Sequence, residues 1–346
     1  MKYSIIIPAF NAEKTIERCL NRINNFYDKN EIEVIVCDNQ SNDNTLEIIK
    51  KFPFKIIHNN KKKSASSTRN LGAINAKYEN LIFIDADCMA PKNLINILEN
   101  TPNFMSEKCI AGNFSTKNFY NNFFSLYKTS YTHFKLKNKT KNVSNAGIMF
   151  IKKKYFLEVG MFNESIATME DDEFSIRFQA NGYKSTLNTE LQVDHHKEFN
   201  FISLTKNDFS RSKQLVKILK NGLLDVHSKN KTNETKNYFS WFGLYLRGII
   251  NCLVIVLNIV LLANLIFDFV PSFLGVGSIK MLVVINFIYF LNNIDVFLFN
   301  LRTYGFIFSL LTIFFQIFTF LTIVAGVLTG VLVEFIERGK KPTVNL

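Results

Sequence analysis

Short apolar runs alternate with amphipathic stretches through the first half of the chain. Tyr3 to Ile7 is rich in β-branched and aromatic residues and is closed by Pro8, which predicts a strand. Glu13 to Asn25 carries Ile16, Leu20 and Ile23 at helical spacing. Glu33 to Cys37 predicts a second strand, ended by the polar stretch DNQSNDNT. Thr45 to Phe52 predicts a helix, Phe54 to His58 a third strand, Ser66 to Lys77 a helix and Leu81 to Ile84 a fourth strand. Ile148 to Ile151 reads as a core strand further on. This alternation predicts an α/β fold with a mostly parallel sheet covered on both faces. In such sheets ligands bind beyond the carboxyl ends of the strands. Pro8 to Asn11, Asp38 and Asp85 to Asp87 all fall at such ends.

The pattern changes after a polar, basic stretch, His227 to Lys236. Ile249 to Phe267 and Tyr304 to Val333 carry no ionised side chain. Each meets the length of roughly 20 apolar residues that a bilayer-crossing helix needs. Met281 to Ile294 is shorter and holds two asparagines, so it is a weaker candidate. Gly326 and Gly330 form a GxxxG pattern, which allows close helix packing. Tyr238, Trp241 and Tyr245 precede the first span as an interfacial aromatic belt would. Residues 1–222 are therefore expected to form the soluble domain and 223–247 a basic linker. Residues 248–335 are expected to form two or three membrane helices and 336–346 a polar tail.

The 346 residues carry a formal charge of +12, and 35 of the 41 Lys and Arg residues precede Tyr238. No helix-turn-helix, zinc-finger or RNP pattern accompanies this charge, so nucleic acid is not the expected partner. Lysines facing membrane lipids account for it as well. Ile5 to Ile7 is too short an apolar stretch for a secretory signal. The soluble part is expected in the cytoplasm, on an inner or plasma membrane crossed more than once, and Arg247 agrees. The lysine-rich end ERGKK also favours the cytoplasm, which conflicts with three simple crossings. Either Met281 to Val333 then contains an interfacial or re-entrant piece, or the tail lies outside. Five cysteines with no CxxC pairing suggest neither a zinc site nor a disulfide frame.

LIFIDADC places Asp85 and Asp87 where a buried strand emerges. Paired carboxylates suit a hard divalent cation such as Mg²⁺ or Mn²⁺, which can bridge a diphosphate. A simple turn explains the same three residues. The triplet is one of five motifs in order: SIIIPAFNAEKTI, IVCDNQSNDNT, STRNLGAINA, IFIDADC and MEDDEFSIRFQANGY. Together they resemble the glycosyltransferase family 2 catalytic domain, which has the GT-A nucleotide-sugar-binding fold. The resemblance covers about Lys2 to Gly222.

The resemblance implies that Pro8, Ala9, Phe10 and Asp38 hold the nucleoside of a nucleotide-sugar donor. The family usually carries two adjacent acids at the second strand's end; here Cys37 precedes Asp38, and the base stays open. Arg69 matches a position near the nucleotide, with a solvated helix arginine as the alternative. Asp85 and Asp87 match the family's DxD pair. Asp87 is assigned to a Mn²⁺ or Mg²⁺ ion, and Asp85 to the ribose or to the metal through water. His195 is a candidate third ligand. Glu170 and Asp171 match the family's Glu-Asp pair, with Asp171 as the general base of an inverting transfer and Asp172 as its one-residue competitor. Asn145 and Gly147 match a stretch on the acceptor side. Lys206, Arg211, Lys213, Lys217 and Lys220 would line a helix facing diphosphate, lipid headgroups or solvent.

The implied protein is a membrane-anchored, metal-dependent inverting glycosyltransferase acting on a lipid-linked or membrane-proximal acceptor. A processive polysaccharide synthase would carry a QxxRW motif, and none is present. A non-catalytic scaffold would have no reason to retain Asp85, Asp87, Glu170 and Asp171. Oligomeric state is not legible.

Overall fold

The computed structural model describes residues 1–60, 64–137, 145, 147–228, 250–251, 253–254, 256–258, 260–261 and 275–339. The chain divides into two compact units, Met1–Leu204 with Lys217–Val226, and Thr205–Val216 with His227–Leu346.

The first unit is built on β1 (Tyr3–Ala9), β2 (Ile32–Asp38), β3 (Lys55–His58), β4 (Asn80–Ile84), β5 (Cys88–Met89), β6 (Cys109–Phe114), β7 (Ile148–Lys152) and β8 (Thr186–His195). They form one sheet in the order β3-β2-β1-β4-β7-β6-β8-β5. The β3-β2-β1-β4 half is parallel, and β6 also pairs in parallel with β8. β7 runs antiparallel to both β4 and β6, and β5 antiparallel to β8. The expected α/β class and mostly parallel sheet are present, with a mixed second half.

Helices α1 (Ile16–Asn24), α2 (Thr45–Ile49), α3 (Ala65–Ile74), α4 (Leu94–Glu99), α5 (Phe123–Lys137), α6 (Lys153–Glu158) and α7 (Glu170–Ala180) join the strands. Strand alternation sorts the sheet residues into two cores. Ile5, Ile7, Val34 and Val36 pack with α1, whereas Ile6, Ile35 and Cys37 pack on the face that carries α3 and α7. The first strand does not stop at Pro8, as the sequence pattern predicts, but continues to Ala9. Its pairing with β4 ends at Ile6, so Pro8 lies past the last β4 partner on that side.

Gly72 sets how close α3 lies to the sheet: a Cβ there would stand 2.5 Å from Ile6 Cγ2 and 2.9 Å from Cys37 Sγ. Cys37, beside the conspicuous acid of the second strand, is therefore a core residue. Burial pushes its thiol up to about 12.

The second unit includes part of α8 (Phe201–Ser228), then α9 (Gly275–Asn292), α10 (Ile294–Tyr304) and α11 (Phe306–Gly339). Phe306–Glu337 is the one helix among the described residues that is long and apolar enough to cross a bilayer, matching the Tyr304 to Val333 expectation. α9 and α10 bend by 62° at a break and together make a second candidate, a broken span or a re-entrant piece. Asn293 sits at this break, buried, donating to Tyr289 O at 2.9 Å and to Asn251 Oδ1 at 3.1 Å. These bonds satisfy the Asn293 side-chain amide where the helix breaks. Gly326 and Gly330 lie against the Thr205–Val216 stretch of α8. A Cβ on either would come within 2.6 Å of the Phe209 or the Lys213 carbonyl. Much of Ile249 to Phe267, the aromatic belt at Tyr238, Trp241 and Tyr245, and Lys340 and Lys341 lie outside the described residues.

Candidate active site

A cleft of about 730 Å³ opens at the carboxyl ends of β1 and β4. Pro8, Ala9, Phe10, Arg69, Asp85 and Asp87 line it; all six are sequence candidates. The cleft also takes in Asn39, Asp43, Tyr120, His196 and Lys197. Tyr120 and Lys197 carry no motif signal; only the docking of their segments brings them here.

Arg69 is 4% exposed, so it is not the solvated helix arginine of the alternative reading. Its guanidinium forks: Nη2 donates to Asp85 Oδ1 at 2.5 Å, and Nη1 to Glu170 Oε1 at 2.6 Å. A buried cation needs such partners. Burial alone would lower the group, but the two carboxylates hold it above its ordinary value. The next residue adds a second tie. Asn70 Nδ2 donates to Phe162 O at 2.9 Å, and Phe162 N donates to Asn70 Oδ1 at 3.0 Å. Through these two side chains α3 braces the loop that leads into α7. Asn70 was not a sequence candidate.

Asp85 and Asp87 leave the same strand into different surroundings. Burial raises the Asp85 carboxyl; Arg69 pulls it down, Asp87 pushes it up, and the net shift is upward. Burial would raise Asp87 too, but His195 and then Lys197 hold it well below the usual carboxylate range. His195 stands there because Cys88 pairs with it across the antiparallel β5–β8 ladder. Its Nε2 lies 3.6 Å from Asp87 Oδ2. His196 N anchors the same turn by donating to Asp87 O at 2.7 Å.

Asp85, Asp87 and Cys88 bring potential ligand atoms within 4.8 Å of one another. Burial, with the charges of Asp87 and Asp85, pushes the Cys88 thiol far up, so it stays protonated and is a poor ligand. What remains is two carboxylates with an imidazole alongside, a donor set that fits Mn²⁺ or Mg²⁺.

The four acids opening α7 divide their work. Glu170 meets Arg69. Glu173 is clasped by Arg177, whose Nε and Nη2 donate at 2.6 and 2.7 Å. Asp171 Oδ1 accepts from Asp172 N at 2.9 Å. Ala167 reaches the cleft wall, while Glu170 and Asp171 are not among the residues that line it.

Three candidates point their polar atoms elsewhere. The Asp38 carboxylate is 2% exposed and accepts from Gln40 N at 3.1 Å and Ser41 N at 3.3 Å, closing its own turn. Its neighbour Asn39 lines the cleft instead. Asn145 ties its loop together, donating to Gly112 O and accepting from Gly147 N, both at 3.1 Å. Gly147 packs so closely on Phe114 that a Cβ would come within 2.7 Å of the ring.

Residues 4–156 match the family model described as Glycosyl transferase family 2. The chain is similar to Glycosyltransferase AglE of Haloferax volcanii, 24% identical over 62% of this chain and 73% of that protein. It is also similar to the Dolichol-phosphate mannosyltransferase of Pyrococcus furiosus, 33% identical over 28% of each chain. The chain thus spans little more than a quarter of the latter's length. Among solved structures it overlaps the mannosyltransferase PcManGT from Pyrobaculum calidifontis, in complex with GDP-Man and Mn²⁺. That overlap has a TM-score of 0.49, 15% identity and 64% coverage of both chains.

Proposed function

We propose that the protein is a membrane-anchored inverting glycosyltransferase that takes its sugar from a nucleotide-sugar donor. The observation that carries the reading is the Asp85–Arg69–Glu170 bridge, which joins the strand end bearing Asp85 and Asp87 to the acidic first turn of α7. The family match over residues 4–156 supports the reaction class. In this reading Pro8, Ala9 and Phe10 receive the nucleoside. Asp87, with His195 beside it and Asp85 across from it, would hold Mn²⁺ or Mg²⁺. A bound cation supplies charge for the donor's diphosphate as it departs.

Asp171 takes the proton from the acceptor hydroxyl. Glu170 serves as the fixed point of α7: its ion pair holds the helix start while the neighbouring carboxylate acts. The helix Phe306–Glu337 supports a membrane anchor, and with it a lipid-linked or membrane-proximal acceptor in cell-envelope glycan or glycolipid synthesis.

Thermal melting with a panel of nucleoside diphosphates and Mn²⁺ tests the donor class, because a ligand of the native state raises its stability. At a concentration 100 times its Kd, a ligand adds about 2.7 kcal/mol. The expected result is a raised midpoint for one nucleotide class that depends on Mn²⁺. No shift with any nucleotide, with or without metal, would remove the reading.

A further inference from the structure

We infer that an aromatic strip beside the cleft is a contact surface for a lipid bilayer, so that the cleft mouth works against the membrane surface. The inference rests on the reading of α11 as a membrane helix. The strip begins at Phe119, which is 58% exposed, with its ring 5.3 Å from Tyr120 and 5.6 Å from His196, both cleft residues. It continues through the half-buried Phe123 and Phe124, whose rings lie 5.5 Å apart. Phe124 meets Phe201 at 6.0 Å, and Phe201 and Ile202 are 43% and 62% exposed. The backbone beneath is fixed, since Phe199 N donates to Ser125 Oγ at 2.8 Å and Asn118 Nδ2 donates to Lys197 O at 3.3 Å.

An exposed apolar surface of this kind in a soluble unit calls for a partner. Three observations select a bilayer. The side chains are mostly aromatic, the type that settles at the membrane–water boundary. Lys117 and Lys128 stand two and four residues from Phe119 and Phe124 in the chain, and Lys197 Nζ lies 5.7 Å over the Phe199 ring, cations of the kind that a surface facing anionic headgroups would have. The third is covalent continuity. Ile202 stands three residues before Thr205, at most about 11 Å of extended chain. Thr205–Val216 is the stretch that packs on Gly326 and Gly330 of the spanning helix. Those glycines lie only eight and four residues before Glu334, the first charge beyond the apolar run. The helix that carries Phe201 and Ile202 thus runs on, in the same α8, into the stretch that packs on α11.

Brominated-lipid quenching tests this on the full chain. Trp241→Phe removes the single native tryptophan. Phe119→Trp, Ile202→Trp, Ile74→Trp and Phe314→Trp then each place one reporter, all at exposed apolar positions. The proteins are reconstituted into vesicles of phosphatidylcholine and phosphatidylglycerol, with and without acyl-chain bromines. Loss of emission is expected at 119 and 202 as well as at 314 in the spanning helix, with 74 at full emission. Quenching at 314 alone overturns the strip while leaving the anchor standing. An unquenched 314 overturns the anchor itself.

Discussion

Two strand ends in this protein carry acids, and only one delivers them to the cleft. At the end of β2, Asp38 is claimed by the amides of Gln40 and Ser41 two and three residues on. At the end of β4, Asp87 faces an imidazole and a thiol, and Asp85 a guanidinium 16 residues away in sequence. A carboxylate at a strand end is available for chemistry when the following backbone does not cap it. Where the next amides curl back, it becomes a turn residue. The contrast extends to Asp85 and Asp87 themselves, whose carboxyls shift in opposite directions: at Asp85 burial, helped by the charge of Asp87, prevails over Arg69, whereas at Asp87 His195 and Lys197 outweigh burial.

The largest effect is expected from Asp87→Ala, which should abolish Mn²⁺-dependent donor binding and turnover. Unchanged donor affinity with unchanged Mn²⁺ dependence, measured by titration calorimetry, would end the metal assignment. Asp171→Asn should leave donor binding near normal and lower kcat by about 10²–10⁴-fold, the usual share of general base catalysis. Asp172→Asn is the matched control. Normal turnover in the first and none in the second would move the base by one residue.

Arg69→Ala strands two carboxylates that now share one buried cation. Breaking a buried pair costs on the order of 3–5 kcal/mol, and the lower end is expected because Asp85 keeps some solvent contact. A thermal melt unchanged from the parent would show that the bridge does not brace α7. The smallest effect belongs to Asp38→Asn. The amide oxygen can still accept from Gln40 and Ser41, so about 1 kcal/mol of stability is at stake. Donor affinity should be unchanged. If Asp38→Asn weakens donor binding as strongly as Asp87→Ala, the contrast between the two strand ends collapses.

The elements of the sheet half and the position of the DxD pair were legible because both are local. Periodicity marks the strands, and Asp85 and Asp87 follow directly on one of them. Helix limits were less legible. Thr45 to Phe52 predicts eight residues, whereas α2 has five, since propensity is a weak guide where tertiary contacts end the helix. Asn70 lies within the STRNLGAINA motif but had no role of its own there, and Tyr120 gave no signal, because neither stands out in type or spacing from its neighbours.

By itself the sequence determined which segments are buried, which strand ends are polar, and that Tyr304 to Val333 is long and apolar enough to be a candidate for crossing a bilayer. These depend on side-chain type and on periods of 2 and 3.6, which neighbouring residues encode. The tertiary structure alone decided the partners. Glu170 meets Arg69 across 101 residues, and His195 reaches Asp87 only through the register of β5 on β8. Asp38 turned inward while Asp87 turned out. No local pattern carries that information, because a carboxylate's partner is set by which distant element packs against its strand end, and in what register.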